Sequence, residues 1–300
     1  MTTTLPATET INPRYRDLDA WDPLSALQAM WEGQMAAAAA VQSALPAIAA
    51  ASVAAAARLA QGGRLAYAGA GTSGRIGVQD GAELPPTFDW PVERLLLLMA
   101  GGEGAFTRSI ENAEDDRTAG IAAVASHEIG PADVVVGLAA SGSTPFTDAV
   151  LLAARAAGAL TIGLSNSAGG TVLAAAEHPI LVETGAEVIA GSTRMKAGTA
   201  QKIVLNLFSS QLMVQLGRVH LGLMVDMQAR NAKLRLRAIR MLRYITGIAD
   251  EARLRAALAG ADGRVKVAVL LVHGLDRISA DALLARNHGS LRLTLQEIGR

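Results

Sequence analysis

Five short, continuously apolar runs, near 64–68, 94–99, 133–139, 159–164 and 179–182, alternate with stretches of helical periodicity. No other feature constrains the fold as tightly. A strand buried on both faces is apolar throughout instead of alternating, and parallel strands need helical crossovers that cover both faces of the sheet. The expected architecture is therefore α/β, a three-layer sandwich around a five-stranded parallel sheet. In such sheets ligands sit at the carboxyl ends of the strands.

The flanking segments read differently. Residues 1–20 predict an extended arm, because Pro13 disfavours helix at Asn12. Leu24, Leu27, Trp31 and Met35 then recur at helical spacing, with Asp22 as N-cap. Pro46 starts or breaks a second helix that reaches about Leu59, and Gly62-Gly63 ends it. Within the sheet region, helix is expected to about Ala82, stopping before Pro85-Pro86, and again over 103–125. From about Ser192 the pattern is entirely helical. Val204, Phe208, Leu212 and Leu216 mark a long buried helix, followed by shorter ones near 232–246, 250–259, 263–273 and 279–287. The expected organisation is an arm with helices over 1–60, a ligand-binding domain over 61–218 and a small helical subdomain over 219–300.

Composition excludes several classes. Lys+Arg and Asp+Glu are equal at 27 each and aromatics are 3%, so neither a field nor a stacking platform favours nucleic acid. With no cysteine, disulfides, thiolate metal sites and cysteine nucleophiles are out, which is compatible with a reducing, cytoplasmic compartment. The N-terminus, 1–19, is polar and without the apolar stretch expected of a signal peptide, and runs such as 95–99 fall far short of the ~20 residues of a membrane span. The five histidines, 127, 178, 220, 273 and 288, never take a ligand spacing, so no metal site is expected.

Five segments carry candidate chemistry. Gly69-Ala70-Gly71-Thr72-Ser73-Gly74 joins a strand to a helix. Its glycines permit close approach, and its hydroxyls and free amides suit an anion, although a mere tight turn reads the same way. Ser141-Gly142-Ser143-Thr144 repeats the arrangement at another strand end, where ordinary N-capping is the alternative. Glu83 precedes Leu84-Pro85-Pro86 at an expected helix-to-loop corner, and Glu114 lies in the acidic run 111–116. Finally, Arg194 and Lys196 stand near the start of the long helix, unfavourable to its dipole unless an anion joins them.

The assembled pattern resembles the sugar isomerase (SIS) domain and, within that group, the N-acetylmuramic acid 6-phosphate etherases, relatives of the glucokinase regulatory protein. The resemblance rests on Thr8-Glu9 and Asn12-Pro13, the loop 69–75, Glu83 with Pro85-Pro86-Thr87, Ala100-Gly101-Gly102-Glu103, and Ala113-Glu114-Asp115. Its most specific block is Ser192-Thr193-Arg194-Met195-Lys196-Ala197-Gly198-Thr199-Ala200-Gln201-Lys202, followed by Leu223-Met224-Val225-Asp226. The chain departs from the family in two places: Ser143 stands where the family usually has Arg, and Ser165-Asn166-Ser167 where it tends to carry Cys-Asn-Pro.

The resemblance implies an etherase that splits D-lactate from C3 of a sugar phosphate in amino-sugar recycling, without metal or cofactor. Glu114 would take the C2 proton and Glu83 protonate the leaving oxygen. The phosphate would lie on Gly71, Thr72, Ser73, Ser141, Ser143 and Thr144, with Lys196 nearby. A homodimer is implied, built on the long helix at 193–216. A sugar-phosphate isomerase would need only the base, so the presence of both carboxylates favours the etherase; a sensor like the regulatory relative is built from two such domains, whereas this chain has room for one.

Overall fold

The computed structural model describes residues 5–229 and 231–300. The arm is extended chain broken by 3-10 turns at Ala7–Glu9, Pro13–Tyr15 and Leu18–Ala20. Helix α1 (Pro23–Ala40) begins at Asp22, whose Oδ1 accepts from the amides of Leu24 and Ser25 at 3.1 Å each. A 3-10 turn leads into α2 (Leu45–Leu59), with Pro46 in the first turn, where a missing amide breaks no intrahelical bond. The inward face of α1 is small: Ala29, Gly33 and Ala37 are buried. Leu24, Leu27, Trp31 and Met35 are instead 65, 63, 64 and 51% exposed.

The five expected strands form one parallel sheet. They are β1 (Leu65–Gly69), β2 (Leu95–Met99), β3 (Val134–Ala139), β4 (Leu160–Ser165) and β5 (His178–Leu181), in the order β2-β1-β3-β4-β5. Between and after them run α3 (Gly71–Phe88), α4 (Arg117–Ser126), α5 (Pro145–Ala156), α6 (Thr171–Ala175) and α7 (Lys196–Gln215). Strands β1, β3 and β4 are buried throughout, as continuous apolar runs require. Ala66, Val135 and Ala139 pack with Phe146, Val150 and Val172 on the face covered by α4, α5 and α6. The opposite face carries Tyr67 and Leu138, and α3 approaches it through glycines. A Cβ at Gly77 would lie 3.2 Å from Tyr67, and one at Gly81 2.9 Å from Leu97. Helix α2 packs on β3, β4 and β5.

The α1–α2 stretch, Pro23–Leu59, spans 37 residues with a mean hydropathy of 1.6 in its most apolar window, enough by length and composition to cross a membrane. That corrects the expectation that no apolar stretch comes near such a length. Alanine supplies much of this apolarity, and Ile48, Ala51, Ala55 and Leu59 are buried.

Three helical expectations are corrected. Helix α3 does not stop before Pro85 but runs to Phe88, because both prolines fall in its final turns. Only the carbonyls a turn earlier lose amide partners there, and the helix closes as Asp89 (φ +53) donates to the Pro85 carbonyl at 2.9 Å. Residues 101–116 are not α-helix but irregular chain with 3-10 turns at Glu103–Phe106 and Ala113–Asp115. Gly101, Gly102 and Asn112 all take positive φ, and Asp116 caps α4 by accepting from Ala119 N at 2.8 Å. Beyond α7, a hairpin of β6 (Val219–His220) and β7 (Leu223–Met224) interrupts the helices. Leu221 and Gly222 turn it with φ of +48° and +75°, a tight turn without the Asn-Gly signature.

The chain divides into two compact units, Met1–Ala82 with Glu93–Ser209, and Glu83–Val92 with Ser210–Arg300. The second unit packs α8 (Ala232–Thr246), α9 (Glu251–Gly260), α10 (Val265–Val272), α11 (Arg277–Arg286) and α12 (Leu291–Glu297) around its own apolar cluster. Helix α12 had no counterpart in the sequence pattern. Asp226, from the 223–226 block, serves this unit: Lys266, only 7% exposed, donates to it at 2.7 Å, and Arg218 lies 3.6 Å away.

Candidate functional site

The strand order reverses direction between β1 and β3: the chain steps from β1 out to β2, then returns past β1 to β3. Such a switch point leaves a crevice at the carboxyl ends of the two strands. Both hydroxyl-rich loops open there, since β1 and β3 pair directly, Gly69 opposite Leu138. A cavity of about 250 Å³ lies between them, lined by Gly71, Thr72 and Ser73 from one loop and Ser141, Ser143 and Thr144 from the other. Glu114, Asp115, Glu9 and Thr193 complete its polar wall.

Steric demand shapes the first loop. A Cβ at Gly74 would lie 2.4 Å from Met99 Sδ and 2.7 Å from the Gly69 carbonyl, so α3 turns back directly onto β1. Gly71, at φ +53, lets α3 start within two residues of the strand. The first amides of a helix have no partner within it, and here they face the cavity end of the sheet.

In the second loop Gly142 (φ +85) makes the turn, and Ser141 Oγ donates to the Ser143 carbonyl at 3.1 Å. Thr144 occupies the N-cap of α5, yet its side chain makes no capping bond. Capping therefore does not account for that hydroxyl. Ser143 Oγ accepts from Thr171 N at 3.2 Å and lies 3.1 Å from Thr171 Oγ1, which also donates to Asp148 Oδ2 in a short hydrogen bond. Burial pushes the Asp148 carboxyl above its ordinary range, although Thr171 pulls the other way. Ser143 is thus fixed from behind by Thr171.

Glu114 sits in a 3-10 turn, Ala113–Asp115, on the irregular 101–116 segment. Arg75 of α3 ties that segment down, donating from Nε to the Ala105 carbonyl at 3.0 Å and from Nη2 to the Arg108 carbonyl at 2.7 Å. A second cavity of about 160 Å³, lined by Arg75, Glu111 and Asn112, shares Gly71 and Glu114 with the first.

Two of the expected site residues are absent from the lining of this cavity. Glu83 is exposed, in the interior of α3 and not at its end, and belongs to the second compact unit. Lys196 turns its ammonium onto the Ala186 carbonyl at 2.8 Å. The anion expected at the start of α7 is the chain's own Glu187, 1% exposed, which accepts from Lys196 N at 2.8 Å and Ala197 N at 2.9 Å. Burial raises Glu187 and lowers the Lys196 ammonium from their ordinary values. Among the described residues the lining includes no Lys or Arg, so hydroxyls and helix amides are what it offers an anion. Sequence reasoning missed Glu9 and Thr193 as lining residues, since only the fold brings the arm and the 183–195 loop to the strand ends.

The comparisons agree with this geometry. Residues 47–155, which include both hydroxyl loops, match the glucokinase regulatory protein N-terminal SIS domain family. A protein of Deinococcus radiodurans is 50% identical over 97% of this chain and 95% of its own length. Relatives from Cronobacter sakazakii and Streptomyces avermitilis are 46% and 45% identical, each over 96% of this chain and 97% and 93% of their own lengths. All three are named N-acetylmuramic acid 6-phosphate etherase. With the SIS-type sheet and its cavity at the switch point, the chain is an enzyme of the carbon–oxygen lyase class and belongs to the N-acetylmuramic acid 6-phosphate etherase family.

Proposed function

We propose that this chain cleaves the D-lactyl ether of N-acetylmuramic acid 6-phosphate, releasing N-acetylglucosamine 6-phosphate and D-lactate in cell-wall amino-sugar recycling. The observation that carries the reading is the cavity joining both hydroxyl loops to Glu114. The phosphate rests on Thr72, Ser73, Ser141, Ser143 and Thr144, with the amides at the start of α3, including that of Gly71, adding dipole. Ring opening exposes an aldehyde at C1 that acidifies the C2 proton. Glu114 removes that proton, the C3–O bond breaks, and lactate leaves. Water then adds across C2 and C3, returning a proton to C2 and a hydroxyl to C3. Anchoring C6 orients the reacting carbons, and one positioned base contributes about 10²–10⁴-fold. Glu83 as proton donor to the lactyl oxygen is carried by the family resemblance alone.

Incubation with N-acetylmuramic acid 6-phosphate and measurement of D-lactate tests this directly. Glu114→Gln is expected to lower kcat by about 10²-fold or more, and Glu83→Gln to slow the elimination. No lactate from the wild type sinks the reading. Because one base in the cavity also suits an aldose–ketose isomerase, appearance of a ketose phosphate without lactate would favour that alternative.

The enzyme is further proposed to act as a cytoplasmic homodimer. The exposed Leu24, Leu27, Trp31 and Met35 stripe on α1 supports pairing through that face; on α7, Val204, Phe208 and Leu212 are buried within the chain, while Leu207 and Val214 stay exposed. Sedimentation should give twice the chain mass for the wild type and a monomer for Trp31→Asp; an unchanged dimer in that variant rules out the α1 face.

A further inference from the structure

Among the described residues of the N-terminal arm, Glu9 alone lines the cavity. The arm is fixed where it does so. Thr8 is fully buried, with Oγ1 3.4 Å from Ser167 Oγ in the loop after β4. The Glu9 amide donates to the Pro6 carbonyl at 2.9 Å, closing a turn that orients the side chain. On the far side, Gly191 (φ +73) leaves room for the carboxylate: a Cβ there would stand 3.2 Å from Glu9 Oε2. The Glu9 charge is also near enough to Glu187 to disfavour its ionisation. Among the described residues the Glu9 carboxylate makes no hydrogen bond or ion pair, and no cation lines the cavity beside it.

A carboxylate accepts hydrogen bonds and donates none. It repels a phosphate and attracts the neutral, donor-bearing end of a sugar. We propose that Glu9 is a positioning and specificity-determining residue of this site, taking hydroxyl or acetamido N–H donors of a sugar whose phosphate lies on the two hydroxyl loops. This rests on the sugar-phosphate reading above and extends it: hydroxyl loops attract the charged end and Glu9 excludes it, so the ligand enters in one orientation.

Calorimetric titration of the full chain with N-acetylglucosamine 6-phosphate and, separately, with inorganic phosphate tests this. Glu9→Ala should weaken the sugar phosphate by about tenfold or more, the scale of one charge-assisted hydrogen bond, while inorganic phosphate binds as well or better. Glu9→Gln, which keeps an acceptor without the charge, should fall between. KM should rise in step with the sugar-phosphate Kd, with kcat changing far less. Wild-type affinity for the sugar phosphate in Glu9→Ala overturns the proposal. So does parallel weakening of both ligands, the mark of an arm that merely props the loops. A wild type that binds phosphate but no sugar phosphate overturns the substrate reading and this proposal with it.

Discussion

Ser143 shows how one residue sets the character of the site. Its hydroxyl is held by Thr171, itself bonded to buried Asp148, in a lining without Lys or Arg among the described residues. Ser143→Arg should add a charged donor and lower KM by about tenfold with little change in kcat; an unchanged KM would show that the neutral cradle already saturates the phosphate. Asp133 illustrates a charge spent on the fold instead. Burial pushes its carboxyl up, but Arg64 at 2.7 Å and the amides of Arg64 and Gly130 at 2.8 and 3.0 Å outweigh that and leave it lowered. A lowered carboxylate contributes stability above its unfolded value, ~3.9, and loses it as pH falls through the folded value. Asp133→Asn should therefore be less stable than wild type at pH 7, with the difference shrinking below about pH 4. A pH-independent gap in urea midpoints would contradict this.

At the scale of elements, the turn from β1 into α3 is decided by contact between backbones. Gly74→Ala should destabilise by about 1–3 kcal/mol, a fall of a few degrees in Tm, and loosen phosphate binding. Adding Met99→Ala relieves the sulfur clash but not the one with the Gly69 carbonyl, so full recovery in the double variant would refute the backbone argument. Strands, caps and most helices could be read from the chain because apolar runs, Asp22 and the placement of Pro46 act locally. The extension of α3 through Pro85-Pro86 and the irregular segment carrying Glu114 could not. In one case prolines fall where a helix can lose amides, and in the other Arg75 imposes an anchor from a distant element.

For the molecule as a whole, helices α8 to α12 close over an apolar cluster of their own, and the sheet with α4 to α6 over another. Asp226→Ala strands the buried ammonium of Lys266 and should cost about 3–5 kcal/mol. Hydrogen exchange should then rise through α8 to α12 while β1, β3 and β4 keep their protection; uniform acceleration would show that the units unfold together. Hydrophobic periodicity and glycine chemistry operate over a few residues, so the sequence alone determined the five strands, the hydroxyl loops and the family. It could not decide which of the candidate groups meet. Strand order made Thr72 and Ser143 neighbours, Thr8 packing brought Glu9 to them, and Glu187 claimed the helix start that seemed to await a ligand. Those outcomes depend on contacts between residues far apart in the chain, which only the tertiary structure specifies.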